Sequence, residues 1–391
     1  MAWKVFDLYC GLGGLGLGFK RAGFESKGGI DYWQPAVENN AKLLGHGAHR
    51  AEVKDADKII LNSGWKSDTG LLIGGPPCQG FSLANQRRKS ESGAKKRSEL
   101  FNYVDLINRL KPAAFLLENV GGMRDTQKNA ENAESTVSGL TQDEYVVAAK
   151  VLNASDYGIP QTRRRTIFLG FRKDLVPIDF DAATAFPTPT HHDFCKRVNG
   201  INERYGFPET TNETRDPAFW KDEFFKAILS PETHELFNRL PAINVRDTIG
   251  DLPPLEAGEA SKVHNHIAGK VSDIVAARMG DIPPGGNVFN IKEENLHGLN
   301  PEDSWYNYKR MNWVCRSAPA IPCEIRAANG YAHPIQNRAI TPREAARLQG
   351  FPDDFVFEGP AKDQYRLIGN AVPPLLAQRI GESVLAVLNS L

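Results

Sequence analysis

Apolar and amphipathic segments alternate through the first 172 residues of the chain. Five short apolar runs have the length of buried strands, at residues 5–9, 28–31, 71–74, 113–118 and 166–171. Residues 12–22 and 34–44 instead have apolar positions at helical spacing, the first of them after a glycine loop. Strands and helices in alternation predict an α/β fold with a mostly parallel, twisted sheet.

The pattern changes near residue 173. Pro-rich and Asn-rich segments follow, such as residues 186–192, with only short periodic pieces between them. Helical periodicity returns at 341–348, where Thr341 stands as an N-cap, Pro342 as the first helical residue and Glu344 three residues after the cap. A last helix is predicted from about residue 374 to 388. We therefore expect a second, smaller and irregular domain that begins near residue 173.

Composition limits the class of protein. Of the 391 residues, 41% are apolar and 24% are charged, and the formal net charge is zero. These values are typical of globular proteins with a packed core. No apolar run reaches the roughly 20 residues that span a membrane, and the N-terminus lacks the apolar stretch of a secretory signal. We expect an intracellular protein that is not inserted in a membrane.

Cysteine spacing argues against a disulfide framework and against a zinc ribbon. The five cysteines are odd in number and form no CxxC pair. His191, His192 and Cys195 lie close together in the sequence but lack a second pair of ligands at a suitable spacing. No bound metal is expected.

The zero net charge hides an uneven distribution. Residues 1–172 carry a net charge of +6, residues 173–318 carry −6, and the remainder is neutral. Such asymmetry can mark a polyanion-binding face on one part of a chain. If the acidic region also meets a polyanion, it must do so through a local basic patch.

A glycine-rich loop follows the first predicted strand. Gly11, Gly13 and Gly16 satisfy the GxGxxG pattern between a strand and a helix, and Asp31 ends the next strand. Glycines permit close approach of the backbone to a ligand, and an acid at that place binds ribose hydroxyls. The motif indicates a nucleotide-type cofactor, and both a dinucleotide and S-adenosylmethionine fit it.

A second loop presents a cysteine. The segment GGPPCQGFS, residues 74–82, follows an apolar strand and places Cys78 at the carboxyl end of the sheet, where open α/β sheets bind ligands. Two prolines restrict its backbone. Cys78 is a candidate nucleophile; the alternative is a buried structural thiol.

Polar residues end or flank two further strands. Glu118 lies at the end of the strand at 113–118 and is either a helix cap or an acid that faces the ligand crevice. In the run QTRRR, the period of two predicts that Arg163 and Arg165 share one face while Arg164 takes the other. Two aligned arginines suit phosphate or carbonyl recognition.

A basic stretch lies between the loop that carries Cys78 and the strand that carries Glu118. Residues 84–99 carry six basic and two acidic side chains. A charged loop beside the candidate nucleophile would be suited to close over a polyanion, so we expect a mobile lid at 83–97.

Taken together, these motifs resemble the cytosine-5 DNA methyltransferase family. The resemblance covers both ends of the chain and rests on six segments in order: DLYCGLGGLGLG, GGPPCQGFS, ENV, QTRRR, RAITPREAARLQGFPDDF and RLIGNAVPP. It implies a Rossmann-like domain dependent on S-adenosylmethionine, together with a smaller target-recognition domain. The larger domain would be discontinuous, 1–172 with 362–391, and 173–361 would form the smaller one, with its DNA-reading part at about 173–318.

The resemblance assigns the catalytic roles. Cys78 is the nucleophile that attacks C6 of a cytosine flipped out of double-stranded DNA, and Glu118 engages N3 and the exocyclic amine. Arg163 and Arg165 hold the base and its backbone. Methyl transfer to C5 follows at a specific short sequence, and removal of the C5 proton then releases Cys78.

The resemblance also assigns binding residues. Asp31 binds the ribose, Tyr32 the adenine ring and Asp55 the adenine amino group, with Asp57 as the alternative. The full set expected to bind S-adenosylmethionine is Asp7, Tyr9, Gly11, Gly13, Gly14, Asp31, Tyr32, Asp55, Pro77, Leu100 and Asn370. The residues expected to contact DNA are Gln79, Ser82, Arg87, Arg88 and Arg97.

Two other functions fit part of the sequence. An RNA (tRNA) cytosine-5 methyltransferase of the same fold would share the motifs, whereas a nicotinamide-dependent oxidoreductase is supported only by GxGxxG and Asp31. For the DNA enzyme we expect a monomer in the bacterial cytoplasm, acting at the nucleoid. A restriction endonuclease or another defence partner would act on the same DNA site.

Overall fold

The computed structural model describes residues 2–77, 91–119, 134, 137–139, 141–192, 239–304, 307–314, 317–325 and 331–391, with the backbone alone for 91–98. These residues form two compact units. The first unit consists of Met1–Asn153, Arg164–Thr188 and Ala371–Leu391, and the second of Ala154–Arg163 and Pro189–Asn370. The larger domain is discontinuous, but the boundaries differ from the predicted ones. Residues 173–188 belong to the first unit, whereas 154–163 and 362–370 belong to the second.

A seven-stranded sheet forms the centre of the first unit, in the order β3-β2-β1-β4-β5-β8-β6. Its strands are β1 Lys4–Leu8, β2 Glu25–Asp31, β3 Ala48–Arg50, β4 Gly70–Gly74, β5 Ala114–Asn119, β6 Tyr145–Asn153 and β8 Arg164–Arg172. The pairs among β1 to β5 are parallel. The predicted α/β architecture with a mostly parallel sheet is confirmed.

Two strands and one orientation were not predicted. β3 and β6 lay outside the predicted strands, and β8 runs antiparallel to both β5 and β6. Parallel strands are usually connected by an amphipathic helix, which the sequence pattern reveals. β6 is instead connected to β8 by residues 154–163, which have no such helical pattern. The parallel part of the sheet therefore ends at β5.

The helices are α1 Gly14–Arg21, α2 Gln34–Leu44, α3 Asp57–Asn62, α4 Glu91–Leu110, α5 Val245–Ile249, α6 Asp273–Asp281, α7 Glu293–Leu296, α8 Pro342–Gln349, α9 Ala361–Asn370 and α10 Pro374–Ser390. In the first unit α10 packs closely on α1. A Cβ built on Gly18 would lie 2.3 Å from the Cβ of Ala377 and 2.5 Å from the backbone nitrogen of Gln378. This glycine is needed because the two helix backbones almost touch.

The predicted mobile lid at 83–97 is partly wrong. Residues 91–97 form the first turns of α4, which continues for 20 residues. Its later part buries Leu100, Tyr103, Val104 and Ile107 in the core. The basic residues at its start masked the helical periodicity that these apolar positions carry. Residues 83–90 lie outside the described part of the chain.

The second unit has little regular structure. Its described strands are two-residue pairs: β7 Gln161–Thr162 with β12 Ala318–Pro319, β9 His191–His192 with β10 Leu240–Pro241, and β11 Lys309–Arg310 with β13 Tyr331–Ala332. The predicted cap of α8 is confirmed, because the Thr341 hydroxyl accepts from the Glu344 N–H and the Glu344 carboxylate accepts from the Thr341 N–H. The second unit is therefore irregular, as the sequence predicted, and consists of short strand pairs and short helices.

Residues 361–390 are long and apolar enough to be compared with a membrane span, with a mean hydropathy of 1.2 over the most apolar window. Just over half of that window, 56%, is buried inside the protein. Core helices pass the same test, and α10 buries Leu376, Ile380 and Val384. The burial favours a core role for this stretch.

Candidate active site

A cavity of about 280 Å³ opens at the carboxyl ends of β1 and β2 in the first unit. Tyr9 follows β1, and Asp31 is the last residue of β2. The residues that line the cavity are Tyr9, Asp31, Tyr32, Ala51, Glu52, Val53, Pro77 and Glu99. The position agrees with the rule that open α/β sheets bind ligands at this edge.

The glycine loop is tied to Asp31. The Gly11 N–H donates to Asp31 Oδ2 at 3.0 Å, and the Trp33 N–H donates to Asp31 Oδ1 at 2.9 Å. Both carboxylate oxygens are thus oriented by the backbone. Tyr32, beside it, is 58% exposed and offers an aromatic face to the cavity.

Tyr9 and Glu99 form a second fixed pair on the cavity wall. Tyr9 has left-handed backbone geometry (φ 54°), and its hydroxyl donates to the backbone oxygen of Glu99 at 2.9 Å and to Glu99 Oε2 at 3.0 Å. Burial, followed by the charge of Glu99, raises the pKa of Tyr9 well above its usual value. The phenol therefore stays a hydrogen-bond donor to Glu99, a residue that the sequence reasoning missed.

Asp7 does not line this cavity. Its side chain is buried, and Oδ2 accepts a hydrogen bond from the Gly16 N–H at 3.1 Å inside the first turn of α1. Burial raises the pKa of Asp7 to about 8, against the lowering effect of the Gly16 hydrogen bond and with a further rise from Asp31. Asp7 thus supports the glycine loop from behind, and its expected contact with the cofactor stays a prediction.

Two other glycines of the loop are required by close packing. A Cβ on Gly13, which has φ 99°, would lie 2.7 Å from Asn40 Nδ2. A Cβ on Gly14 would lie 2.0 Å from the backbone oxygen of Val372. The C-terminal segment from Ala371 onward thus returns to the glycine loop, as the resemblance implied.

The adenine contact expected at Asp55, or at Asp57 as its alternative, stays a prediction. Asp55 belongs to a short 3-10 helix and does not line the cavity, and Asp57 forms an ion pair with Arg109. Glu52 and Val53 line it instead. β3 ends at Arg50, so Glu52 is the first acid after the strand; that spacing could have identified it, but β3 was not predicted.

Glu118 and Arg165 form a buried ion pair. Arg165 Nε lies 2.7 Å from Glu118 Oε1, and both side chains are about 8% exposed. A Cβ on Gly75 would lie 2.7 Å from Glu118 Oε2. The start of the loop that carries Cys78 is therefore packed directly on the Glu118 carboxylate, although Cys78 itself lies outside the described residues.

Arg163 is separated from this pair. As predicted, Arg163 and Arg165 are buried while Arg164 is exposed. The Arg163 guanidinium, however, donates to the backbone oxygens of Ile321 at 3.2 Å and Gly369 at 2.6 Å, within the second unit. These contacts bind Arg163 to the chain's own backbone, so its expected contact with substrate stays a prediction.

The remaining residues were predicted either to bind the cofactor or to contact DNA. Pro77 lines the cavity, Leu100 is buried in α4, and Asn370 is the exposed last residue of α9 in the second unit. Gln79, Ser82, Arg87 and Arg88 lie outside the described residues, and Arg97 is described by its helical backbone alone.

Fold and site define a class: an α/β protein with a cavity at the carboxyl edge of a mostly parallel sheet, where open α/β sheets bind ligands. The chain belongs to the C-5 cytosine-specific DNA methylase family, whose sequence model matches residues 3–386. Its activity is that of a DNA (cytosine-5)-methyltransferase. Family membership decides against the oxidoreductase and RNA-methylating alternatives.

Individual relatives agree over nearly the whole chain. It is 30% identical to type II methyltransferase M1.HphI of Haemophilus parahaemolyticus, covering 98% of this chain and 87% of the relative. It is 28% identical to type II methyltransferase M.DdeI of Desulfomicrobium norvegicum, covering 97% and 88%. The structure of a protein described as a prophage-encoded DNA modification methyltransferase of E. coli superposes with a TM-score of 0.66, at 23% identity and covering 99% and 100% of the two chains. That likeness supports the fold.

Proposed function

We propose that the cavity of the first unit binds S-adenosylmethionine. Three acidic side chains, Asp31, Glu52 and Glu99, line it, and none of its described lining residues is basic, although Lys54 pairs with Glu52 at 2.7 Å. A cavity of this sign favours a cofactor with a net positive charge and disfavours a dinucleotide pyrophosphate. Asp31 binds the ribose, Tyr32 stacks on the adenine, and Glu52 with Val53 contacts its edge.

The methyl acceptor is C5 of a cytosine flipped out of duplex DNA at a specific short sequence. The packing of Gly75 on Glu118, with Arg165 beside it, carries this proposal, because it brings the start of the Cys78 loop to the acid. As a thiolate, Cys78 forms the Sγ–C6 bond, and the displaced electron pair moves to N3, which takes a proton delivered through the Glu118 oxygen that is not paired with Arg165. Arg165 orients Glu118.

Carbon C5 of the ring is then nucleophilic. Bound S-adenosylmethionine supplies an electrophilic methyl group that C5 takes up. Loss of the C5 proton to a base and cleavage of the Sγ–C6 bond restore the C5=C6 double bond and release the Cys78 thiolate. The proton on N3 returns to Glu118, which restores the aromatic ring. Arg163 positions segments of the second unit through Ile321 and Gly369, and its expected contact with the flipped base stays a prediction.

The same assignment extends to the DNA contacts, the oligomeric state, the location and the partner of the protein. Gln79, Ser82, Arg87, Arg88 and Arg97 supply contacts to DNA from the basic stretch beside the nucleophile. The protein works as a monomer on DNA in the bacterial cytoplasm, together with a restriction endonuclease or another defence partner that acts on the same site. The names of the type II relatives support such a partner.

Bisulfite sequencing of a host that expresses the protein tests this function. Wild type should protect cytosines at one short sequence, and Cys78→Ser should protect none. Cys323→Ser is the matched control, because Cys323 is an exposed free thiol in the second unit. Protection by Cys78→Ser equal to that of wild type would refute the catalytic assignment.

The covalent step has its own test. Duplex DNA with 5-fluorocytosine at the identified site should form a gel-stable adduct, because fluorine cannot be removed in the last step. The adduct should require S-adenosylmethionine and be missing in Cys78→Ser. Methylation of ordinary DNA without any adduct on the fluorinated site would exclude the Sγ–C6 intermediate while leaving the overall activity in place.

A further inference from the structure

Three acidic side chains line the cavity of the first unit, and the proposed cofactor site uses two of them. Asp31, at the end of β2, is assigned to the ribose, and Glu52, after β3, is assigned to the edge of the adenine. Glu99, from α4, lines the same cavity and has no part in that assignment. The cavity therefore has one further acceptor whose ligand group is not yet identified.

Two uncharged donors hold Glu99 in place. Its Oε2 accepts hydrogen bonds from the Tyr9 hydroxyl at 3.0 Å and from Asn102 Nδ2 at 3.4 Å, and Tyr9 also donates to the Glu99 backbone oxygen at 2.9 Å. Among the described residues, neither hydrogen bond to this carboxylate goes to Oε1. Glu52 differs, because it forms an ion pair with Lys54 at 2.7 Å. Glu99 thus presents a carboxylate that is oriented by neutral groups.

Glu99 lies near the part of the wall that Glu52 forms. Helix α4 packs against the short 3-10 helix Val53–Asp55, which directly follows Glu52, and Arg109 of α4 donates to the backbone oxygen of Lys54 at 3.2 Å. The pKa of Lys54 is raised by its hydrogen bond to Glu52 first, and the charge of Glu99 adds to that rise. Two acids from different elements therefore serve the same end of the cavity.

The exocyclic amine of adenine suits such a pair of carboxylates. Its nitrogen carries two N–H donors, whereas a 6-oxo purine presents an acceptor at the same place. Ionised carboxylates only accept hydrogen bonds. Two carboxylates can each take one hydrogen of the amine, and both repel a 6-oxo group.

We propose that Glu99 is a further adenine-binding residue, which accepts one hydrogen of the exocyclic amine through Oε1 while Glu52 accepts the other. This role rests on the proposed binding of S-adenosylmethionine in the cavity. Tyr9 is a positioning residue, because its hydroxyl holds Oε2 and directs the second oxygen to the ligand. The two acids together make the site selective for a 6-amino purine.

Isothermal titration of the protein with two stable ligands tests this role. One ligand is S-adenosylhomocysteine, and the other is S-inosylhomocysteine, the same compound with a 6-oxo purine. Wild type should prefer the adenine compound by about a hundredfold or more. Glu99→Gln should weaken the adenine compound about tenfold, and because an amide can donate to a 6-oxo group, it should strengthen the inosine compound about threefold.

Two further variants control for the size and charge of the side chain. Glu99→Asp keeps the charge but shortens the side chain, so it should weaken the adenine compound without strengthening the inosine compound. Glu38→Gln is the matched control, since Glu38 is an exposed glutamate of α2 that does not line the cavity. It should bind both ligands as wild type does.

Tyr9→Phe tests the positioning role, because it removes the donor and keeps the ring. It should lower the preference for adenine about threefold. The double variant Tyr9→Phe, Glu99→Gln should show the same preference as Glu99→Gln alone, since Tyr9 acts through Glu99. Equal weakening of both ligands by either single variant would show a merely structural role.

The results distinguish this role from the proposed function. If wild type binds S-adenosylhomocysteine and Glu99→Gln keeps the same preference between the two ligands, Glu99 does not contact the amine, and the cofactor assignment stands. If wild type binds neither ligand, the cofactor assignment itself is wrong, and the role of Glu99 is lost with it.

Discussion

The two cavities of this protein differ in the sign of the charge on their walls. In the first unit Asp31, Glu52 and Glu99 line the cavity, and its described lining includes no basic residue. In the second unit Lys309 and Arg310 line a groove of about 610 Å³ in which no described lining residue is acidic. A methyltransferase that combines a cationic cofactor with a polyanionic substrate needs both signs, and the net charge of zero conceals them. Charge on this chain is informative only site by site.

The cavities also differ in how their walls are held. Parallel strands and the glycine loop position the first, with Asp7 buried behind it. In the second unit buried arginines bind backbone oxygens: Arg343 donates to His264, Pro352 and Phe355. Guanidinium groups with several donors can replace the missing sheet hydrogen bonds of an irregular unit.

The largest effect that separates the two units is expected from pH at Asp7. Its folded pKa of about 8 exceeds the ordinary value of 3.8, so the stabilisation is complete below pH 3.8 and is lost as pH rises toward 8. The loss is up to about 1.4 kcal/mol per pH unit. Asp7→Asn, which stays neutral, should become the more stable protein by pH 8. Urea unfolding at pH 5 and 8 measures this, and parallel curves for the two proteins would contradict it.

His333 in the second unit should respond in the opposite direction. Burial, as the largest cause, lowers the pKa of His333 from 6.5 to about 4. Its contribution to stability is therefore present above pH 6.5 and is lost as pH falls toward 4, again up to about 1.4 kcal/mol per unit. His333→Gln should flatten that acid limb in melting experiments, with His297→Gln, an exposed histidine, as the control. An unchanged acid limb would exclude His333 as its source.

Salt should distinguish the binding of DNA from the binding of S-adenosylmethionine. Between 50 and 200 mM salt, DNA affinity is expected to fall by about a hundredfold or more, because several phosphate contacts release counterions. Affinity for S-adenosylmethionine should change by about twofold, since its binding involves few charges in a partly enclosed cavity. Fluorescence anisotropy measures the affinity for DNA, and isothermal titration measures the affinity for S-adenosylmethionine. Equal salt slopes for the two ligands would contradict this prediction.

The smallest effect is expected at Glu99. Glu99→Gln removes one carboxylate from the acidic cavity and should weaken S-adenosylmethionine binding about tenfold, the cost of a charge-assisted contact. DNA affinity should not change. Asp105→Asn on the same helix, outside the cavity, is the control. If Glu99→Gln binds S-adenosylmethionine as tightly as wild type does, Glu99 does not contribute to cofactor binding.

Much of the parallel sheet and several residues of the candidate site could be predicted from short-range sequence patterns. The α2 boundaries, the α8 cap and the positions of Gly13, Asp31 and Glu118 at element ends depend on neighbours close in sequence. Glu52 was missed because β3 was not predicted. Glu99 was missed because its position depends on a contact between residues 90 positions apart, the Tyr9–Glu99 hydrogen bond, which sequence periodicity cannot reveal.

The sequence by itself determined the chemistry available: a strand–glycine loop–helix with an acid at the next strand end, a Pro-Pro-Cys loop, and acid and arginine motifs in a diagnostic order. Short-range sterics and hydrogen bonding decide such local features. Only the tertiary structure decided that Arg165 pairs with Glu118 while Arg163 braces the second unit, that Asp7 lies behind the cofactor cavity, and that basic residues of an acidic region line one groove. Burial and pairing act between residues far apart in the chain, and folding alone brings them together.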